Sequence, residues 1–104
     1  MASFTVLYTR PAQDADAFLA EYMADHVPIT ERFPGMTGHT VTVFTGTPRG
    51  TEPPYLLMFH GTWDSDEDLQ AAMTDASLME ASRQAMGMLG RYRNTAEMMI
   101  GEKR

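Results

Sequence analysis

The order of strand-like and helix-like segments limits the folds open to this 104-residue chain. Alternating apolar and polar side chains predict strands, and apolar residues recurring every three or four positions predict helices. The expected order is strand, helix, strand, strand, helix, strand, with these bounds: Phe4–Thr9, Asp14–Phe33, Gly38–Gly46, Pro54–Trp63, a helical region from Asp64 to Leu89, and Asn94–Gly101. This is the split βαβ, or ferredoxin-like, order of an α+β fold, with a four-stranded antiparallel sheet and two helices on one face. We expect residues 1–104 to form a single domain.

Several residues predict how these elements begin, bend and end. Asp14 is placed to cap the first helix, and Pro28 should kink or break it near His26 because proline has no N–H to donate. The Pro- and Gly-containing segment 47–53 predicts a loop that joins the second and third strands in a hairpin with a long connection. The second helical region begins with capping and acidic residues at 64–68, and a break is predicted at 75–77.

Composition excludes several function classes. Fourteen acidic residues face eight basic ones, giving a net charge of −6, so no basic face for nucleic acid or for an anionic membrane is visible. The absence of cysteine excludes disulfides, zinc ribbons, iron–sulfur clusters and thiol nucleophiles. No apolar run is long enough to span a bilayer, and the first residues lack the basic start of a signal peptide, so the expected location is the cytoplasm.

Three stretches carry a resemblance to a known family. They are the run Leu7-Tyr8-Thr9-Arg10-Pro11 with the helix pattern Asp16-Ala17-Phe18 and Tyr22-x-x-x-His26-x-Pro28, the turn Phe33-Pro34-Gly35-Met36, and the helix entry Trp63-Asp64-Ser65-Asp66-Glu67-Asp68-Leu69. The chain resembles the EthD-like proteins of the dimeric α+β barrel superfamily. The resemblance implies a homodimer in which two sheets form a barrel, and a ligand pocket between each sheet and its own helices. It implies small apolar, aromatic or polyketide-like ligands, and reactions such as cyclisation, dehydration, decarboxylation, isomerisation or cofactor-free oxygenation.

His26 is the first candidate for a catalytic group. It shares one helical face with Phe18, Tyr22 and Ile29, and this face is expected to look at the sheet. Histidine titrates near neutrality and can act as an acid or a base. The alternative is a buried histidine at a helix end, hydrogen-bonded to a loop. Tyr22, one turn earlier, is the second candidate, because its phenol could orient a substrate oxygen; otherwise it is a core tyrosine.

Other side chains are candidates for substrate contact. Aromatic residues that could enclose a ligand, or simply form the core, are Tyr8, Phe18, Phe59 and Trp63. Alternation in the third strand places Tyr55, Leu57, Phe59, Gly61 and Trp63 on one face and Leu56, Met58, His60 and Thr62 on the other. If Trp63 packs under the second helix, His60 points away from the pocket; with the faces inverted, His60 enters it. His39 could lie on either side.

Two further features leave their role open. Glu97 in the fourth strand could act as a base, although an interface or solvent position, or an ion pair with Arg91 or Arg93, is the plainer expectation. Ten methionines suit either a soft core or a pliable pocket. The three histidines fall on different elements and no nucleotide-binding glycine motif occurs, so we expect neither a metal nor a cofactor.

Three functions remain open at this level. The first is a cofactor-independent enzyme in which His26 moves a proton and Tyr22 polarises an oxygen during cyclisation, dehydration or isomerisation of a carbonyl compound. The second is a cofactor-free monooxygenase of a hydroquinone-like substrate, for which the same residues would serve. The third is a small-molecule binding or accessory protein without catalysis.

Overall fold

A computed structural model describes residues 1–104. The elements are β1 (Ala2–Thr9), α1 (Ala15–Glu21), a π-helical turn (Tyr22–His26), α2 (Val27–Thr30), β2 (Gly38–Val43), β3 (Tyr55–Trp63), α3 (Asp66–Met73), α4 (Ala76–Tyr92) and β4 (Ala96–Glu102). The predicted βαββαβ order is confirmed, with each helical region divided. Most expected bounds shift by one to three residues. For example, β1 begins at Ala2 rather than Phe4, β2 ends at Val43 rather than Gly46, and β4 begins at Ala96 rather than Asn94.

The four strands form one antiparallel sheet in the order β2-β3-β1-β4. The hairpin of β2 and β3 has the expected long connection, residues 44–54. β1 lies centrally, pairing Phe4 with Gly61 of β3 and with Ile100 of β4. The helices cover one face, here called the inner face; the opposite, outer face carries no element of this chain. This is the ferredoxin-like architecture that the sequence predicts.

The hydrophobic core lies between the helices and the inner face. Alternate residues of β1 (Ala2, Phe4, Val6 and Tyr8) are buried, as a period of two requires. Trp63 is fully buried, and its indole N–H donates to the Pro34 carbonyl at 2.8 Å. Because Trp63 and Phe59 face the helices, His60 faces outward, which is the first of the two orientations allowed by the sequence.

A β-bulge in β3 changes the expected face of one residue. Tyr8 pairs with Leu57 but Thr9 pairs with Tyr55, so Leu56 is the extra residue. Tyr55 therefore lies on the outer face, where its hydroxyl donates to Glu97 at 3.0 Å. The simple alternation that placed Tyr55 with Leu57 was wrong at this position, because the inserted residue shifts the pleat by one.

Of the two helix caps predicted from the sequence, one forms. Ser65 caps α3 by accepting from the Asp68 N–H, and Asp75 caps α4 by accepting from the Ser77 N–H. Asp75 thus explains the predicted break between the two helices. Asp14 precedes α1 but adopts a left-handed conformation, and its carboxylate accepts no capping hydrogen bond. The predicted side-chain cap at Asp14 is therefore not formed.

Candidate functional site

A π-helical turn positions the two residues that the sequence marks most strongly. The turn spans Tyr22–His26, and the N–H of Val27 donates to the Tyr22 carbonyl five residues back. Pro28 follows in the first turn of α2, so the predicted disturbance near His26 takes the form of a widened turn in a helical segment that continues. Tyr22 and His26 still share the inward side: their rings stack with centroids 4.8 Å apart.

A cavity of about 360 Å³ lies between the inner face of the sheet and α4. Thirteen of its sixteen lining residues are hydrophobic, and none is Asp, Glu, Lys or Arg. The lining comes from the sheet, the first helical region and the second: Phe4, Val6, Tyr8, Phe59, Ala96 and Met98; His26, Thr30 and Phe33; Met73, Leu78, Ala81, Ser82, Ala85, Met86 and Leu89. Met86 and Met98 are 68% and 67% exposed and mark the mouth, whereas Tyr8 and His26 are 3% and 5% exposed and mark the inner wall.

His26 is the titratable imidazole of this cavity. Its Nδ1 lies 2.7 Å from Oε1 of Gln84 on α4. Burial lowers the pKa of His26, and the hydrogen bond with Gln84 opposes that effect in part. The ring is therefore neutral at pH 7, the form that can accept a proton.

Tyr8, rather than Tyr22, brings a phenol to the cavity. Burial raises the pKa of Tyr8 to about 12, with a smaller opposing effect from the Tyr22 hydroxyl, so Tyr8 remains a hydrogen-bond donor at neutral pH. Tyr22 is 1% exposed and stands behind the lining, packed edge-on against Tyr8 at 5.1 Å. Burial, reinforced by the Tyr8 phenol, raises the pKa of Tyr22 further. No well-aligned hydrogen bond satisfies the Tyr22 hydroxyl.

The remaining candidate residues divide between the cavity and its surroundings. Of the aromatic candidates, Phe59 lines the cavity with Tyr8, whereas Phe18 and Trp63 are fully buried outside it. Phe18 supports Tyr8 from behind, with ring centroids 5.9 Å apart. The expectation that Phe18 and Trp63 enclose a ligand is therefore not met, because both side chains pack against other core residues and leave no surface open to a ligand.

The other two histidines lie away from the cavity. His39 is on the inner face of edge strand β2, exposed, with its ring stacked on Phe59 at 6.1 Å. His60 is on the outer face, where its Nδ1 lies 2.9 Å from Oγ1 of Thr5. Neither lines the cavity, so the expectation that they bind substrate there is not met. The sheet lies between His60, on its outer face, and His26, on the helical side.

Charged groups are also kept apart from the cavity. Glu97 lies on the outer face with Tyr55. Arg91 pairs with Glu21 instead of Glu97, so the ion pair considered from the sequence does not form. No group of three or more His, Cys, Asp and Glu side chains is arranged to hold a metal ion. None of the helices has the length and apolar character needed to cross a membrane.

Gln84 is the residue of the site that sequence reasoning missed. The buried positions of α4 are Ser77, Ala81 and Met88, and Gln84 falls between them at helical spacing. A polar side chain on the buried side of an amphipathic helix is the sequence signal that could have identified it. Its partner could not be read from the sequence, because 58 residues separate it from His26.

Comparison with known proteins identifies the family. No family model matches the sequence. No curated protein matches it either. Among solved structures, an EthD family protein from Bacillus halodurans C-125 superposes with a TM-score of 0.88 at 33% identity, covering 100% of this chain and 99% of that one. The chain belongs to the EthD family. The predicted resemblance is confirmed.

More distant structures share the fold of this EthD family member. SnoaB, a cofactor-independent oxygenase from Streptomyces nogalater, gives a TM-score of 0.66 at 14% identity, covering 99% of this chain and 92% of that one. A dimeric protein of unknown function with a ferredoxin-like fold from Bacteroides fragilis gives 0.64 at 8% identity, covering 98% and 96%. At these identities the likeness concerns the fold alone.

Proposed function

We propose that this EthD family protein is a cofactor-independent enzyme that transfers a proton on a neutral, apolar carbonyl compound. The observation that carries the proposal is the pairing of His26 and Tyr8 at the inner wall of an otherwise apolar cavity. The other polar lining groups are less available there. Thr30 donates its hydroxyl hydrogen to the Val27 carbonyl, and Ser82 is exposed.

The roles follow from the protonation states. Neutral His26 would remove a proton from the carbon next to the carbonyl group. The Tyr8 hydroxyl would donate a hydrogen bond to the carbonyl oxygen as negative charge develops on it. This is the part that the sequence assigned to Tyr22. The resulting enolate is the intermediate that isomerisation, cyclisation and dehydration share.

The cavity also favours an uncharged substrate. A buried carboxylate or phosphate would lose its hydration and meet no cationic side chain, because the lining contains no Lys or Arg and His26 is neutral. The methionines at the mouth can adapt to an irregular apolar body. Aromatic or polyketide-like ketones have this combination of an apolar body and one or two oxygen functions.

The test is exchange of substrate α-protons in heavy water, followed by NMR. The probes are tetralone, a neutral aromatic ketone, and any small molecule that native mass spectrometry finds retained on the protein. We expect His26→Gln to slow exchange by about 10²–10⁴-fold, the usual contribution of a general base, and Tyr8→Phe to slow it less. His39→Gln is the matched control, since His39 lies outside the cavity. Equal rates in wild type and His26→Gln for every bound ketone would refute proton transfer by His26.

Oxygenation is the second candidate. The same neutral imidazole in a water-poor cavity could deprotonate a hydroquinone-like substrate, whose anion then reacts with oxygen. Oxygen uptake with anthrone, dependent on His26, would favour this reaction over enolisation. Binding of both probe types without turnover would instead support a binding or accessory protein.

We also propose that two copies pair through their outer faces into an α+β barrel. The outer face exposes or half-exposes Leu7, Met58 and Met99 on three neighbouring strands, and the fold-related Bacteroides fragilis protein is dimeric. Native mass spectrometry should give a mass near twice 11.6 kDa. A monomer at micromolar concentration would contradict the barrel.

A further inference from the structure

We propose that Gln84 is a positioning residue that fixes the tautomer of His26, holding the proton on Nδ1 and leaving Nε2 as the proton acceptor. This inference rests on the proposed function, because it specifies which nitrogen would do the chemistry. Its test uses the free protein and does not require a substrate.

The contact between Gln84 and His26 has a defined donor and a defined acceptor. An amide oxygen can only accept a hydrogen bond, and Oε1 of Gln84 lies 2.7 Å from Nδ1. A neutral imidazole carries one N–H, so the proton of His26 must be on Nδ1 for this bond to form. Nε2 then has a free lone pair. In water an isolated histidine side chain favours the opposite form, with the proton on Nε2, so the protein has to impose this tautomer.

The surroundings of the ring leave Gln84 as the group that decides. The ring stacks on Tyr22 and lies edge-on to Tyr8, with centroids 4.8 and 6.4 Å away. These aromatic contacts hold the plane of the ring. Gln84 supplies the one hydrogen bond that either ring nitrogen makes within the protein. No charged side chain lines the cavity to compete for it.

The free nitrogen is also the accessible one. Nε2 makes no hydrogen bond with the protein, and it is not completely enclosed by protein atoms. His26 reaches accessible space through the cavity that it lines. With Nδ1 turned to α4, Nε2 is therefore the nitrogen available to a ligand. An exchange of the two roles would put an N–H there and convert His26 from a base into a donor.

The tautomer is measured from the ring nitrogen chemical shifts of His26, by long-range proton–nitrogen correlation at a pH at which the ring is neutral. We expect a protonated Nδ1 and an unprotonated Nε2 in the wild type. Gln84→Met keeps a similar length but removes the acceptor, so the signals should move toward the Nε2–H form. Gln84→Glu keeps an acceptor, so it should retain the Nδ1–H form and raise the pKa of His26, since a carboxylate favours imidazolium.

Gln70→Met is the matched control, because Gln70 is exposed on α3 and makes no side-chain hydrogen bond. The signals of His39 and His60 report whether each variant is folded. An Nε2–H tautomer in the wild type, or an unchanged tautomer in folded Gln84→Met, would overturn the inference. If Gln84→Met does not fold, loss of the Nδ1–H form in folded Gln84→Glu overturns it. Absent turnover with the expected shifts would instead count against the proposed function alone.

Discussion

Removing the hydroxyl of Tyr22 should stabilise the protein. The side chain is 1% exposed, and in the folded state its hydroxyl has only a poorly aligned contact with the Tyr8 phenol, whereas water satisfies it in the unfolded chain. A buried hydroxyl without a partner costs about 1–3 kcal/mol. The Tyr22→Phe substitution removes that cost and leaves a void on the order of 10 Å³, worth about 0.2 kcal/mol. The expected net gain is about 1–3 kcal/mol.

Thermal and urea unfolding at matched protein concentration measure this gain. For a chain of this size, 1 kcal/mol corresponds to a rise of roughly 4–8 °C in Tm. Concentration must be held constant because association would itself raise Tm. Tyr92→Phe is the control with the opposite sign, since the Tyr92 hydroxyl donates to Glu21 at 3.1 Å and its removal forfeits a hydrogen bond to a carboxylate.

The same variant decides between two roles for Tyr22. If Tyr22 only supports Tyr8, Tyr22→Phe should leave the affinity for a bound ketone nearly unchanged while Tm rises. A fall in Tm together with a weakened affinity would refute the reasoning. It would mean that the hydroxyl makes a hydrogen bond, to Tyr8 or to the ligand, that the folded protein depends on.

Three more outcomes follow from the structure. Gly61→Ala should lower the free energy of unfolding in urea by about 1–3 kcal/mol, because the added methyl would lie 3.1 Å from atoms of Met36 and Trp63. Gly87→Ala, whose methyl would enter open space beside α4, should instead raise it by up to about 1 kcal/mol. A neutral result for Gly61→Ala would show that its neighbours yield freely. Burial lowers the pKa of His26 below its unfolded value of about 6.5, so the unfolded state binds the proton more readily. The free energy of unfolding should therefore decrease as pH falls through that value, and urea midpoints of His26→Gln measured across this range should lack this decrease. Burial also raises the pKa of Tyr8 to about 12, so the neutral phenol contributes about 3 kcal/mol to the free energy of unfolding below pH 10, and this contribution is lost as pH rises from 10 toward 12. An identical alkaline decline of the urea midpoint in Tyr8→Phe would contradict this.

Much of the fold and part of the site could be predicted because they depend on local pattern. The spacing of Phe18, Tyr22 and His26 on one helical face predicts their common burial, and all three are buried. Capping chemistry predicts the start at Ser65, and the break predicted at 75–77 is where the structure shows Asp75 capping α4. The bulge at Leu56 could not be predicted, because it depends on how β3 pairs with β1 and cannot be recognised from the alternation of a single strand.

The choice between neighbouring tyrosines lay beyond the sequence. Tyr8 and Tyr22 are both aromatic, both inward-facing and both buried, yet only Tyr8 lines the cavity. Which phenol meets the open space depends on where α4 leaves a gap over the sheet, and that is a property of packing between distant segments. The hydrogen bond between His26 and Gln84 is decided in the same way.

Local sequence patterns were therefore enough to predict the order of elements, the family and the helical face that carries His26, because each depends on residues close together along the chain. Only the packed fold sets which side chains surround the cavity, which nitrogen of His26 is free, and that His39 and His60 lie away from the cavity. These depend on contacts between residues tens of positions apart, whose geometry is set only when helices and sheet pack together.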